Sequence, residues 1–177
     1  MTRVLLVPGR SPAGPGHWLT LWADAHPEYV WVRRRTTPDI DLDDRVAALD
    51  RVLAADPEPA VLVATSLGCL TVARWAAGAG GGVPAARGQV VAALLTVPPD
   101  VPDLVDPLPR LPFRTVVVGS RDDEHMSFAR AQAFAEALGA DFYDGGAVGH
   151  LNTASGYGPW PDGERLLARL LAEVEPS

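Results

Sequence analysis

The stretch VLVATSLGCL, residues 61–70, is an apolar run that stops at a Thr-Ser pair and then continues as a helix of small residues. Its strand-like start, the pattern A-x-S-x-G and a predicted helix over residues 69–77 are typical of a nucleophile elbow, with Ala64 where the usual pattern has glycine. Residues two before and two after the serine must be small, because the helix packs against the strand it leaves. Ala64 and Gly68 meet this requirement, so Ser66 is a candidate nucleophile.

The same stretch allows a second interpretation. Serine and threonine are common N-caps of helices, and a nearby glycine can simply permit close packing. Because short motifs often occur by chance, these residues by themselves favour neither a nucleophile nor a cap. The decision depends on residues further along the chain.

Length and composition predict one globular domain over residues 1–177. A chain of this size buries about 70% of its unfolded surface, and 47% hydrophobic with 21% charged residues is a globular composition. Its apolar runs are shorter than the roughly 20 residues of a membrane span. The run at residues 3–7 is too short for a signal-peptide core and predicts a buried first strand. We therefore expect a soluble, cytoplasmic protein with no membrane partner.

Charge and cysteine content narrow the range of partners. A formal net charge of −7 argues against nucleic acid, and the arginine run at residues 33–35 is too isolated to reverse this; it is predicted to be the solvated end of a strand. The single cysteine, Cys69, excludes an intrachain disulfide framework and is expected to be a small buried apolar residue. The Cys and His spacing matches no metal site, so we expect neither metal nor cofactor. The oligomeric state is not indicated.

Alternation of strand-like and helix-like segments predicts the fold class. The predicted strands are residues 3–7, 29–33, 61–64, 89–97, 113–118 and 141–143. The predicted helices are residues 17–25, 41–54, 69–77, 128–138 and 163–174. Apolar strands separated by helices indicate an α/β protein with about six mostly parallel strands and helices on both faces. In such a sheet, functional groups gather at the carboxyl ends of the strands.

Three kinds of chemically useful residue follow predicted strands. Ser66 follows the third strand, Asp122 and Asp123 follow the fifth, and His150 lies in the loop after the sixth. Serine, acid and histidine in this chain order are typical of α/β hydrolases. A serine hydroxyl becomes a good nucleophile when histidine accepts its proton, and a carboxylate orients the histidine and stabilises the imidazolium. This order favours the nucleophile over the cap at residue 66.

The positions of the residues do not by themselves decide which histidine and which aspartate would act with Ser66. The chain has three other histidines, His17, His26 and His125. His150 is favoured because it follows a glycine-rich loop where a strand exit would deliver it. Of the two aspartates, either could orient the histidine while the other caps the following helix.

An oxyanion hole needs two backbone N–H groups, commonly one after the nucleophile and one from the loop after the first strand. Here these are the amides of Leu67 and, in the turn at residues 8–11, Arg10. A plain turn is the alternative for that segment. A phosphate-binding loop at residues 9–16 has little support, because the segment lacks the G-K-[ST] ending.

Several short motifs are spread over nearly the whole chain: V-P-G near the start, G-H-W with a second Trp four residues on, x-x-S-x-G, G-S-R-D-D, an R-A-x-A-x-A helix and G-H-L-N. With these motifs the chain resembles the small serine hydrolases of the retinoblastoma-binding protein 9 and YdeN-like family, which are compact α/β hydrolases without a large lid. By position, the resemblance implies a triad of Ser66, Asp123 and His150, with Asp122 as a neighbour. The chain departs from the family pattern at Thr65, where histidine is usual, and at Glu124, where proline is usual.

The sequence thus predicts a carboxylesterase-like serine hydrolase that cleaves a small ester, thioester or amide through an acyl-enzyme. The alternative is a binding protein that kept the hydrolase fold and pocket but acts through ligand or protein contacts. The sequence does not identify the substrate. The proline-rich connection at residues 98–112 and the segment at residues 153–161, with Tyr157 and Trp160, are the expected walls of a shallow pocket.

Overall fold

A parallel sheet of six strands organises the protein. The computed structural model describes residues 1–33, 41–78, 88–101, 103 and 107–175. Within them the strands are β1 (Arg3–Val7), β2 (Val30–Trp31), β3 (Ala60–Thr65), β4 (Val90–Thr96), β5 (Arg114–Gly119) and β6 (Asp141–Asp144). Their order is β2-β1-β3-β4-β5-β6, and every neighbouring pair is parallel. The chain moves outward to β2 and then reverses to β3, so the topological switch point, where α/β proteins bind ligands, lies between β1 and β3.

Helices cover both faces of the sheet. In the described residues they are α1 (Trp18–Ala25), α2 (Leu42–Ala54), α3 (Leu67–Ala76), α4 (Phe128–Leu138) and α5 (Pro161–Val174). Alternate residues of β1 belong to different cores: Leu5 packs with α2, α3 and α4, whereas Leu6 packs with α1 and α5. The alternation of side chains along a strand explains this division. The expected α/β fold with helices on both faces is confirmed, and the part of the chain that the structure describes contains no large lid.

The differences from the predicted boundaries are local. The second strand is only two residues long and lies at the edge of the sheet, with Val30 38% exposed. Arg33 is exposed as predicted, while the rest of the arginine run lies outside the described residues. The glycine run after α3 is described only as far as Gly78. Helix α5 starts at Pro161, a residue whose fixed φ suits a first helical turn.

Two further expectations can be compared with the fold. None of the helices in the described ranges has both the length and the apolar character needed to cross a membrane. Cys69 is buried, and its Sγ donates to the Thr96 carbonyl at 3.3 Å. Burial raises the pKa of this thiol, so Cys69 stays protonated and serves as a small core residue, as expected.

Candidate active site

The turn between β3 and α3 holds Ser66 in a strained backbone conformation. Its φ is 51° and its ψ is −124°, in a region that residues with a side chain rarely adopt. The Ser66 amide donates to the Thr96 carbonyl at 2.9 Å, which ties the turn to β4. Ser66 occupies the N-cap position, but its side chain makes no cap hydrogen bond. The hydroxyl is therefore directed to other partners.

Small residues around Ser66 are a steric requirement. A Cβ on Gly68 would lie 2.4 Å from the Val7 carbonyl oxygen, far inside van der Waals contact. A Cβ on Gly9 would lie 3.3 Å from the Ser66 Cβ and 3.9 Å from its Oγ. The start of α3 and the loop after β1 thus pack directly against each other and against the serine. Gly68 must be small as predicted, but the close contact is with the end of β1 and not with β3, the strand that the helix leaves.

The serine hydroxyl faces the histidine predicted from the sequence. His150 Nε2 lies 2.9 Å from Ser66 Oγ, across 84 residues of chain. His150 Nδ1 lies 3.0 Å from each carboxylate oxygen of Asp123, whose side chain is 2% exposed. Since a carboxylate only accepts hydrogen bonds, Nδ1 donates to it, and Nε2 of the neutral ring accepts from the serine hydroxyl. The structure therefore brings Ser66, His150 and Asp123 together in one chain of hydrogen bonds.

The second aspartate has a separate structural role. Asp122 Oδ1 accepts a 2.7 Å hydrogen bond from the Gly149 amide and a 3.0 Å bond from the Ser120 hydroxyl. These two donors lower the pKa of Asp122, because they stabilise the carboxylate. The cap of α4 is Ser127, so neither aspartate caps that helix. Asp122 instead fastens the loop that carries the histidine.

Further hydrogen bonds that the sequence did not predict hold the loop that carries His150. The His150 amide donates to Ser155 Oγ at 3.1 Å, and Ser155 Oγ donates to Asn152 Oδ1 at 2.9 Å. Leu151 has a φ of 48°, and its buried carbonyl accepts from Trp18 Nε1 at 3.0 Å. Asn152 belongs to the G-H-L-N motif, which was the available signal for part of this network.

Two of the other histidines flank His150. His125 packs edge-on against the His150 ring, with 4.3 Å between ring centroids. His17 caps α1 by accepting from the Leu19 amide through Nδ1 at 3.2 Å. Burial and the nearby His150 lower the pKa of His17, so it is neutral at pH 7. His26 lies at the other end of α1, 3.2 Å from Glu28.

An arginine that sequence reasoning missed contacts the loop after β1. Arg45 lies on α2 and is only 4% exposed. Its Nη1 donates to the Pro8 carbonyl at 3.1 Å, and its Nη2 donates to the carbonyls of Gly9 and Arg10 at 2.8 and 3.3 Å. The available signal was its position three residues after Leu42, which places a charged side chain on the apolar face of a helix.

A surface cavity of about 440 Å³ lies between α3, α4 and the proline-rich connection. It is lined by Leu70 of α3, by Val101 and Leu108 of the proline-rich connection, and by Met126 and Phe134. The connection thus lines a cavity, and its role as a wall of the substrate pocket stays a prediction. Of the two aromatic residues expected in the other wall, Tyr157 is partly buried, and Trp160 is buried and packs with Trp18 and Trp22 in the core.

Thr65 and Glu124, the two departures from the family pattern, accompany intact hydrogen bonds among Ser66, His150 and Asp123. Thr65 is buried at the end of β3 and pairs in register with Thr96. Glu124 is 84% exposed, 3.6 Å from His125. Within the described ranges no group of three or more His, Cys, Asp or Glu side chains could hold a metal ion.

A six-stranded parallel sheet with a strained serine after its third strand, an acid after the fifth and a histidine after the sixth defines an α/β hydrolase fold. The family model described as serine hydrolase matches residues 4–169. The chain therefore belongs to the serine hydrolase family, and its general function is that of a hydrolase. Among curated proteins, none matches this chain.

Solved structures agree with this assignment. A protein described as a YdeN-like hydrolase from Pectobacterium atrosepticum is 29% identical, over 99% of this chain and 94% of that one, with a TM-score of 0.88. The ydeN gene product of Bacillus subtilis is 19% identical over 97% and 100% of the two chains, with a TM-score of 0.73. Esterase 2 of Thermogutta terrifontis is 15% identical over 99% and 85%, with a TM-score of 0.68. The last two similarities concern the fold alone. The resemblance to YdeN-like hydrolases stated from the sequence is confirmed.

Proposed function

We propose that this protein is a carboxylesterase-like serine hydrolase that cleaves a small ester, thioester or amide through an acyl-enzyme. Ser66 is the nucleophile, His150 the general base and acid, and Asp123 the residue that orients the histidine. The observation that supports this proposal is the hydrogen-bonded chain from Ser66 Oγ to His150 at 2.9 Å and from His150 to Asp123 at 3.0 Å.

In the first half of the reaction, Ser66 Oγ attacks the substrate carbonyl carbon while His150 Nε2 takes the hydroxyl proton. The nearby carboxylate of Asp123 stabilises the imidazolium that forms. When the tetrahedral intermediate collapses, His150 gives this proton to the leaving alcohol, thiol or amine, and the acyl group stays on Ser66. A water molecule then attacks the acyl carbon with His150 again as base, which releases the carboxylic acid and restores the serine.

The developing negative charge on the substrate oxygen needs preorganised donors. We assign these to the backbone amides of Leu67 and Arg10. Leu67 directly follows the nucleophile, and the close packing of Gly9 against Ser66 supports a role for the loop that carries Arg10. We infer that the acyl group of the substrate is small.

Covalent labelling by a fluorophosphonate probe tests the nucleophile, and p-nitrophenyl acetate tests turnover. Esterase 2 of Thermogutta terrifontis, a structural neighbour, is described as phosphoramylated by tabun, which supports an organophosphorus probe. We expect wild type to be labelled at Ser66 and Ser66→Ala to lose about 10⁶-fold in kcat. Ser127→Ala, which removes a serine at the cap of α4, is the matched control and should be labelled normally.

Absence of labelling and turnover in wild type would contradict the proposal, as would equal labelling of Ser66→Ala. A folded protein that binds a ligand but leaves the probe unreacted would instead support the hydrolase-fold binding protein considered from the sequence. The two outcomes are separated by one mass spectrum and one binding titration.

A further inference from the structure

Arg45 is a buried charge that makes three hydrogen bonds to backbone carbonyls of the loop after β1. A buried cation is costly unless its donors are satisfied, and here two guanidinium nitrogens bond the carbonyls of Pro8, Gly9 and Arg10. Successive carbonyls of an extended strand point in opposite directions, so three that converge on one group require a curved loop. The guanidinium is therefore the centre around which the loop after β1 bends.

The direction of these carbonyls determines the direction of the amides. In a trans peptide, the C=O and the following N–H point to opposite sides. Because the Gly9 carbonyl points to Arg45, the Arg10 amide in the same peptide points away from that side chain. Gly9 itself packs on Ser66, with a Cβ-to-Cβ separation of only 3.3 Å if a Cβ is built on the glycine. The loop thus lies between the guanidinium and the serine.

We propose that Arg45 is a positioning residue that holds the loop after β1 so that its amides can serve as oxyanion donors. This inference rests on the proposed function, since it assigns a role within the same site. The positive charge also polarises the peptides whose oxygens it binds, which makes their amides stronger donors. Lysine cannot replace it, because a single ammonium lacks the planar fork that reaches several carbonyls at once.

The kinetic test compares Arg45→Met and Arg45→Lys with Arg51→Met, a control on the same helix. We expect a fall of about 10²-fold in kcat for Arg45→Met, comparable to the loss of one oxyanion donor, with KM nearly unchanged. Arg45→Lys should recover only part of the loss. Guanidinium ion at millimolar concentration should raise kcat of Arg45→Ala and leave Ser66→Ala inactive.

A purely structural role would lower every rate in proportion, so a second substrate separates the two roles. In a thionoester the sulfur accepts hydrogen bonds poorly, and its hydrolysis draws less on the oxyanion donors. We expect the preference of wild type for the oxygen ester over the matching thionoester to shrink about 10-fold in Arg45→Met. An unchanged preference, or an unchanged kcat in a folded variant, would overturn the positioning role.

An NMR measurement keeps this inference separate from the proposed function. The amide signals of Gly9, Arg10 and Ser11 should shift and exchange faster in Arg45→Met, while those of α4 stay as in wild type. If wild type hydrolyses nothing, the proposed function fails, and these spectra still decide whether Arg45 orders the loop. Unshifted signals in this loop would overturn the inference even in an active enzyme.

Discussion

The serine and the histidine of the proposed triad are held in place by different means. Ser66 is positioned by backbone: its φ is 51°, its amide donates a hydrogen bond to a carbonyl of β4, and Gly68 lets α3 contact β1. His150 is positioned largely by side chains, with Asp122 on the preceding amide and Ser155 on its own amide. Trp18 adds a bond to the carbonyl of the next residue.

The positions of the two regions in the sheet explain this difference. Strand β3 is central and pairs with a strand on each side, so neighbouring backbone determines where its exit turn lies. Strand β6 is a four-residue edge strand with one neighbour, so fewer neighbouring backbone groups are available to hydrogen-bond its exit loop. Side chains from distant elements take over that function. We therefore expect substitutions that add volume to disturb the serine region more than substitutions that remove a hydrogen-bonding side chain. In the histidine region we expect the loss of a hydrogen-bonding side chain to have the greater effect.

Among the substitutions that test this comparison, Asp123→Asn is expected to have the largest effect. An asparagine amide can donate to His150 Nδ1, which favours the tautomer with the proton on Nε2, and that nitrogen can then no longer accept the serine proton. We expect kcat to fall about 10⁴-fold with little change in the free energy of unfolding. Steady-state kinetics with p-nitrophenyl acetate measures it. Asp144→Asn, which removes a surface carboxylate paired with Arg121, is the control and should remain within twofold of wild type; a small effect at Asp123 would refute its orienting role.

Gly68→Ala tests the steric side of the comparison. The new methyl group would lie 2.4 Å from a backbone oxygen of Val7, so α3 and β1 must separate. We expect a loss of about 3 kcal/mol in the free energy of unfolding, measured by urea denaturation, and reduced labelling of Ser66. Gly14→Ala is the matched control, since a Cβ there meets nothing within 4 Å. If both variants were equally stable, the serine region would not depend on this packing.

Asp122→Ala tests the side-chain fastening of the histidine loop and should have the smallest effect on catalysis. Loss of the bonds to Gly149 and Ser120 lets His150 drift, and we expect kcat to fall roughly 10- to 100-fold, as for a displacement of about 1 Å. Full activity of this variant would show that Asp122 is not needed to position His150.

Asp122 also contributes a pH-dependent part of the free energy of unfolding. Because the folded state lowers the pKa of Asp122, its contribution to stability is fully present above the ordinary aspartate pKa of about 4. That contribution is lost as the pH falls through the lower folded value. The stability difference between wild type and Asp122→Ala should thus be constant from pH 5 to 8 and shrink below pH 4. A difference that grows in acid would contradict the assignment.

Much of the site could be predicted because its chemical residues follow strands. Ser66 comes directly after β3, Asp123 and His150 lie in the loops after β5 and β6, and the parallel sheet brings the carboxyl ends of these strands to one edge. The supporting residues do not follow this rule. Arg45 lies 36 residues from Gly9, and Trp18 lies 133 residues from Leu151, both on helices whose sequence pattern indicates only an apolar face.

By itself, the sequence determined the α/β class and the element order, because periodicity depends on local chain geometry, and its motifs supplied the candidate triad through a family resemblance. Only the tertiary structure decided that Gly68 is required by its contact with β1, that Trp160 belongs to the core, and that Arg45 contacts the first loop. Hydrogen bonds between distant segments depend on how helices pack across the sheet. That packing depends on the shapes of all the residues in the core and leaves no short pattern in the chain.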